Sequence, residues 1–333
     1  LDIVDRYGLT LALVEPGELA DQPWLRADRP VDVVRLPDPP AARWAELAER
    51  GFVHKPSVLT WLSALGPDED THLAGLHRTV RRSVRTARRE TAAAGLREVV
   101  EDPVTPASLD RFFALYGARV SEMRHGVPFA LDYRDAVLHG PRRFFGVFAY
   151  QGDELAGGVL LLECPSVDLL VLRFSAVSAR WRRSSLARPL YLAAMRAGRE
   201  RGYGRVSMGN EPNLLGHLTQ PGLLLFKAGM GFRPVPSQEC ADPQGGDEAD
   251  LVLRLGTLSD PTLILGYAGQ AAGAAQAGGP GSGHSGPRPG RGLAGHLFCE
   301  APVDTGLYHA PFLESLHVRP PGPPKGHDRT PPP

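Results

Sequence analysis

The sequence predicts an α/β (α+β) fold in which a mixed, twisted sheet is flanked by helices. Three observations carry this. Apolar runs of strand length alternate with turns across residues 143–255. One link in that series is a helix: "SARWRRSSLARPLYLAAM" (178–195) joins the runs 167–177 and 204–209, so these two strands should be parallel. The runs before them are joined by tight turns and form an antiparallel meander. The chain has 333 residues, of which 42% are hydrophobic, enough for a sizeable core.

Taken in order, "LTLALV" (9–14) and "VDVVRL" (31–36) read as strands, and "PPAARWAELAERG" (39–51) as a short helix ended by Gly51. Over 72–96, Leu73, Leu76, Val80, Val84 and Ala87 recur at spacings of three and four. They predict one amphipathic helix that ends at Gly95. Arg78, Arg81, Arg82, Arg85, Arg88 and Arg89 cover its other faces, either as a solvated surface or as a basic flank to an anionic substrate or tRNA. A second helix spans about 107–123, followed by a loop and a short helix. "RFFGVFAY", "LAGGVLLLE" and "VDLLVLRFSAV" are the meander strands. After the 178–195 stretch come the strand "GRVSMG", the loop "NEPNLLGHLTQP", the short helix "GLLLFKAGMG" and a final strand at 248–255. From about Gly269 the composition turns to Ala, Gly, Pro and Ser, which predicts a disordered tail over 269–333 with two small apolar islands.

Lys+Arg and Asp+Glu number 37 each, so net charge argues neither for DNA nor for a membrane surface. Lysine occurs only at 55, 227 and 325, and every other basic side chain of that count is arginine. Three scattered cysteines give no disulfide framework and no metal-ligand spacing, which fits a reduced cytoplasm. No run reaches the ~20 apolar residues of a membrane span. The start "LDIVDRYG" is not patterned as a signal peptide, and without a Met it is expected to lie downstream of the natural N-terminus.

The stretch at 178–195 is the most informative. Proline is tolerated only in the first turn of a helix, so Pro189 places the helix start at about 185–188. Free N–H groups and the positive end of the helix dipole then face "RRSSLA", where arginines and serine hydroxyls also converge. A phosphate fits there, or the segment is a solvated turn.

Arg182-x-x-Ser185-x-Ala187 resembles the acyl-CoA pyrophosphate loop of the GNAT acyltransferases, Q/R-x-x-G-x-G/A, with serine replacing the first glycine. The order meander, strand, loop, helix, strand, short helix, strand is also GNAT-like. "SMGNEPNLLGHLTQPGLLLFKAGMGFRPVP" resembles the FemABX-like, BioF-type acetyltransferase branch through Phe226-Lys227 and Gly231-Phe232. "TVRRSVRTARRE" resembles the arginine-rich helix that opens the same domain. The resemblance covers about 55–255. It implies an N-terminal piece over 1–60, read as a reduced half of a tandem-GNAT arrangement, a GNAT-like domain over 61–256, and a linker and tail over 257–333.

For the donor, the resemblance implies acetyl-CoA or another acyl-CoA held by Arg182, Arg183, Ser184, Ser185, Leu186 and Ala187. The N–H groups of Ala176 and Val177 would face the acyl carbonyl. The serine at 185 adds a Cβ where the family pattern has none. Glu211 and His217 are candidate bases, or simply a hydrogen-bonded loop carboxylate and a packed histidine. Lys227 would oppose developing negative charge, or cap its helix. Arg173 lies inside an apolar strand and needs a partner or a cleft. With Asn210 and Asn213 it is a candidate for substrate contact, although either Asn could merely shape a turn. The tyrosine acid of many GNATs has no counterpart near the short helix, where Phe226 and Lys227 stand.

The implied activity is N-acyl transfer to the amine of a small molecule or peptide, with no metal and no DNA. One alternative is a Fem-type transferase that takes its acyl group from aminoacyl-tRNA. The other is a non-catalytic binding protein on the same fold.

Overall fold

The computed structural model describes residues 1–123, 126–240, 242, 245–269 and 292–323. In chain order the elements begin with β1 (Asp2–Arg6), β2 (Leu9–Leu13), β3 (Val33–Pro37), α1 (Trp44–Glu49), β4 (Val53–Pro56), β5 (Val58–Ala64), α2 (Glu69–Ala74) and α3 (Arg78–Ala93). They continue with β6 (Leu96–Glu101), α4 (Pro106–Ser121), α5 (Arg134–His139), β7 (Phe144–Gln151), β8 (Glu154–Cys164), β9 (Leu169–Val177), α6 (Ala179–Arg182) and α7 (Ala187–Glu200). They end with β10 (Arg205–Pro212), α8 (Pro221–Gly229), β11 (Arg233–Pro236), β12 (Asp247–Val252), β13 (Thr262–Tyr267), β14 (Leu293–Phe298) and β15 (Leu313–Arg319). Among the described residues no helix is long and apolar enough to cross a membrane.

The chain divides into two compact units. The first holds Leu1–Thr60, Asn210–Leu225 and the chain from Pro234 onward; the second holds Trp61–Gly209 and Phe226–Arg233. This differs from the expected boundaries at 60 and 256. The first unit is more than an N-terminal piece, because β12 and the C-terminal strands belong to it.

In the first unit a five-stranded sheet runs β1-β2-β3-β12-β4. β2 and β3 are parallel, and β12 is antiparallel to both β3 and β4. The expected final strand thus inserts here instead of closing the meander sheet. Side chains alternate across a strand, so each face buries its own set. Trp24, Leu36, Leu47, Phe52 and Leu251 form one core, and Leu11, Val33, Val53, Val252, Ile264 and Phe298 the other. A three-stranded sheet, β13-β14-β15, completes the unit.

The tail expected over 269–333 is therefore corrected over its described part. Leu293, Leu297 and Phe298 of β14 are buried, and β14 pairs antiparallel with β13 and parallel with β15. The mean composition of the segment hid two islands long enough to form a strand each once a partner strand was supplied. The remainder of that expectation, 270–291 and 324–333, lies outside the described residues.

A seven-stranded sheet runs β11-β5-β10-β9-β8-β7-β6. β6 to β9 are successively antiparallel, and β9 and β10 are parallel, as the helical link requires. Within the second unit, α4 covers one face through Leu109, Phe112 and Phe113 against Phe148, Leu160, Phe174 and Ala176. The other face takes α7, and a Cβ on Gly157 would stand 2.9 Å from Leu190 Cδ1. The single helix expected over 72–96 is two helices. Asp68 caps α2, and His77, whose side chain accepts from the Thr79 N–H, starts α3 afresh. Gly95, at φ +67°, follows the end of α3 in the left-handed conformation that glycine accepts.

Candidate active site

β9 and β10 share only three ladder pairs, Arg205–Ser207 against Leu169–Val171. β9 continues six residues further, to Val177, and β10 has left the ladder by Gly209 at φ +78°. The last turns of β9 therefore carry backbone groups on an open side. Their direction follows from register. Ser178 N–H donates to Ala156 O across β8, and successive N–H groups of a strand point to opposite sides. Val177 N–H therefore faces the open side, and Ala176 N–H turns to its β8 neighbour Gly158. Of the two expected carbonyl-binding groups, Ala176 is thus committed to the sheet and Val177 remains.

A bulge marks the middle of β9. Leu160 pairs with Phe174 and Leu161 with Leu172, leaving Arg173 as the extra residue. Its guanidinium donates to Tyr133 Oη at 2.8 Å and lies 5.1 Å from the ring centres of both Tyr133 and Phe174. This is the partner that a charge within an apolar strand requires.

After β9 the chain makes the one-turn helix α6, a turn, and then α7. Ser185 sits at φ +56°, so serine occupies a left-handed position where the matching pattern has glycine. Ser185 N–H bonds to Arg182 O, Leu186 N–H to Trp181 O and Arg188 N–H to Ser185 O. Leu186 is buried, so only its backbone is available to the turn. The N–H groups of Ser184 and Ala187 have no hydrogen-bond partner among the described residues. Arg182 is taken by Glu122 through two hydrogen bonds, one of 3.2 Å. That contact raises the Arg182 pKa and holds the Glu122 carboxyl below its ordinary range. Arg183 is exposed.

Two further side chains of α7 complete the cluster, and the sequence reading assigned a role to neither. Arg188 lies 5.2 Å from the Phe226 ring centre, its Nε is buried with no hydrogen-bond partner among the described residues, and burial lowers its pKa. Tyr191 Oη is 2.6 Å from Ser175 Oγ, and its ring lies tilted by 53° against that of Phe226, with ring centres 5.5 Å apart. Burial pushes the Tyr191 pKa up, and the Ser175 contact offsets part of the rise, so the phenol stays protonated at pH 7. Both were hidden in an apolar helical pattern. Arginine in a first turn and tyrosine on a core stripe look ordinary until the neighbouring strand's register is known.

The remaining candidates divide between the units. Lys227, in the second, is buried with Nζ 5.4 Å from the Trp61 ring centre. Glu211, in the first, is the penultimate residue of β10, not a loop residue as expected. It is buried, and its carboxylate accepts a hydrogen bond from the Thr219 hydroxyl. Asn210, also in the strand, accepts from Thr60 Oγ1 at 2.7 Å and donates to Asp242 at 2.6 Å. Asn213 uses its amide within the fold: it donates to Pro56 O and Leu265 O and accepts from Leu265 N–H. His217 Nε2 donates to Tyr7 O at 2.8 Å, which ties its segment to the β1–β2 turn.

Residues 78–213 match the family model described as an acetyltransferase (GNAT) domain. No curated protein is similar enough to match. Among solved structures, L-PGS from Bacillus licheniformis is 12% identical, with 72% of this chain and 77% of that chain covered and a TM-score of 0.43. FemX is 14% identical over 74% and 81%, at 0.42. A tandem GNAT protein from the clavulanic acid biosynthesis pathway is 15% identical over 66% and 64%, at 0.38.

Proposed function

We propose that this chain, which carries a GNAT domain over residues 78–213, moves an acyl group from an acyl-CoA to an amine. The observation that carries the reading is the place where the β9–β10 ladder stops. There an outward Val177 N–H, the Tyr191 phenol and the turn before α7 belong to one unit.

In this reading the donor pyrophosphate lies on the N–H groups of Ser184 and Ala187, helped by Arg183 and Arg188 and by the positive end of α7. The acyl carbonyl oxygen accepts from Val177 N–H. The amine nitrogen attacks the carbonyl carbon, a C–N bond forms, and charge collects on the oxygen that Val177 holds. Lys227 opposes that charge. The proton lost by the amine passes to water. As the C–S bond breaks, Tyr191 gives its proton to the departing thiolate, and Ser175 steadies the phenol between turnovers.

The test is to incubate the full chain with acetyl-CoA and a panel of small-molecule and peptide amines, and to follow free thiol. Amine-dependent thiol release supports the reading. Tyr191→Phe should then lower turnover by about 10²–10⁴ at neutral pH. No release from any amine, together with transfer from charged tRNA, would replace it with the aminoacyl-tRNA reading. Failure of both assays would leave a binding protein.

A further inference from the structure

The first unit contains a charged cavity that plays no part in the reaction above. It begins with register. Asp250 pairs with Arg35 across β12 and β3, and Glu248 pairs with Lys55 across β12 and β4. Positions 248 and 250 share a face of β12, so four charges meet on one side of the sheet. Arg35 donates to both Asp250 oxygens at 2.8 Å and reaches Glu248 at 3.1 Å. Lys55 Nζ lies 2.8 Å from Glu248 and 3.2 Å from Asp250. Side-chain exposure is 7% for Arg35, 1% for Lys55, 0% for Asp250 and 15% for Glu248, so three of the four are buried and Glu248 reaches the edge.

A cavity of ≈ 120 Å³ opens onto this quartet, lined also by Arg6, Ser57 and the 212–214 segment, all within the first unit. Arg35 and Lys55 together carry eight N–H donors, and their contacts with the two carboxylates engage five. Each of the four nitrogens thus has a carboxylate partner, and the two carboxylates leave three of the eight N–H groups at the cavity wall. Arg6, whose contact in the fold is Tyr7, adds a positive charge that the quartet does not cancel. Ser57 Oγ accepts from Gly246 N–H, which leaves its proton to donate.

We propose that this cavity binds a small carboxylate, either as a free ion or as the end group of a larger molecule. One surplus positive charge calls for a monoanion. A dianionic phosphate would set its second charge against Glu248, which lines the same space. The carboxylate oxygens take the remaining Lys55 and Arg35 N–H groups and the Ser57 hydroxyl, and Arg6 closes the mouth.

The experiment titrates trifluoroacetate with the full chain, without acyl donor, and follows ¹⁹F line broadening, so its outcome is independent of acyl transfer. Broadening should saturate and should be reversed by acetate. Arg6→Ala should weaken binding by about tenfold, the loss expected for one charge-assisted contact. Arg6 is exposed, so this variant should keep the wild-type melting temperature. Ser57→Ala should weaken binding by a smaller factor. Broadening that does not saturate, or equal affinity in wild type and Arg6→Ala, would overturn the site. Displacement by inorganic phosphate at concentrations about tenfold below those of acetate would overturn the choice of carboxylate.

Discussion

The turn before α7 and the quartet on β3, β12 and β4 are both built on arginine, and they handle charge in opposite ways. In the quartet, Arg35 and Lys55 are buried against two carboxylates of the strand between theirs. Burial alone would lower the Arg35 pKa, yet Asp250 and Glu248 raise it; burial would raise the Asp250 pKa, yet Arg35 and Lys55 lower it. In the turn, Arg183 faces solvent, Arg182 faces a single carboxylate, and the backbone N–H groups of Ser184 and Ala187 have no hydrogen-bond partner among the described residues. The first arrangement holds a sheet together. The second is poised to exchange partners. A count of arginines could not separate them, whereas burial does.

Breaking the quartet should have the largest effect. Asp250→Asn removes one negative charge and leaves its buried cations under-compensated, which should cost about 3–5 kcal/mol in urea unfolding. Asp250 has a folded pKa below its ordinary 3.8, so its contribution is complete above about pH 4. It falls away as pH drops through the folded value. The gap between variant and wild type should therefore close only in strong acid. A variant as stable as wild type at pH 7 would mean that the quartet is not a structural unit.

At the turn, Arg188→Ala should leave stability near wild type and weaken acyl-CoA binding by about tenfold, read by calorimetry. Glu122→Gln sharpens the contrast because its sign is reversed. It releases Arg182 for the donor, so affinity should rise a few-fold, and most at low salt. Ser185→Gly should have the smallest effect. Glycine escapes the ~1–2 kcal/mol that a Cβ costs at φ +56°, less the ~0.5–1 kcal/mol of added unfolded-chain freedom. A rise in stability of under about 1 kcal/mol is expected, and a fall would show that Ser185 makes a contact worth more than its strain.

Much of the second unit was legible in the sequence because its signals are local. The meander, the helical crossover and the start of α7 near Pro189 all follow from periodicity and from what proline cannot do. β14 and β15 were not legible. Each is one short apolar run whose partner strand lies elsewhere in the chain, and glycine and proline between them dominated the composition. β12 looked like the last strand of the meander sheet, and only long-range pairing shows it between β3 and β4. The site divides in the same way. Helix start and turn chemistry pointed to Arg182, Arg183 and the serines. Choosing Val177 over Ala176 needs the β8 register, and finding Tyr191 needs the position of Ser175.

The central claim is that the turn before α7 and the open end of β9 hold an acyl-CoA. Calorimetric titration of acetyl-CoA into the full chain tests it most directly, with Arg183→Glu/Arg188→Ala as the comparison. Saturable binding of one donor per chain, weakened by about a hundredfold in the double variant at an unchanged melting temperature, is the predicted result. No saturable binding to wild type, or equal affinity in the two proteins, would contradict it.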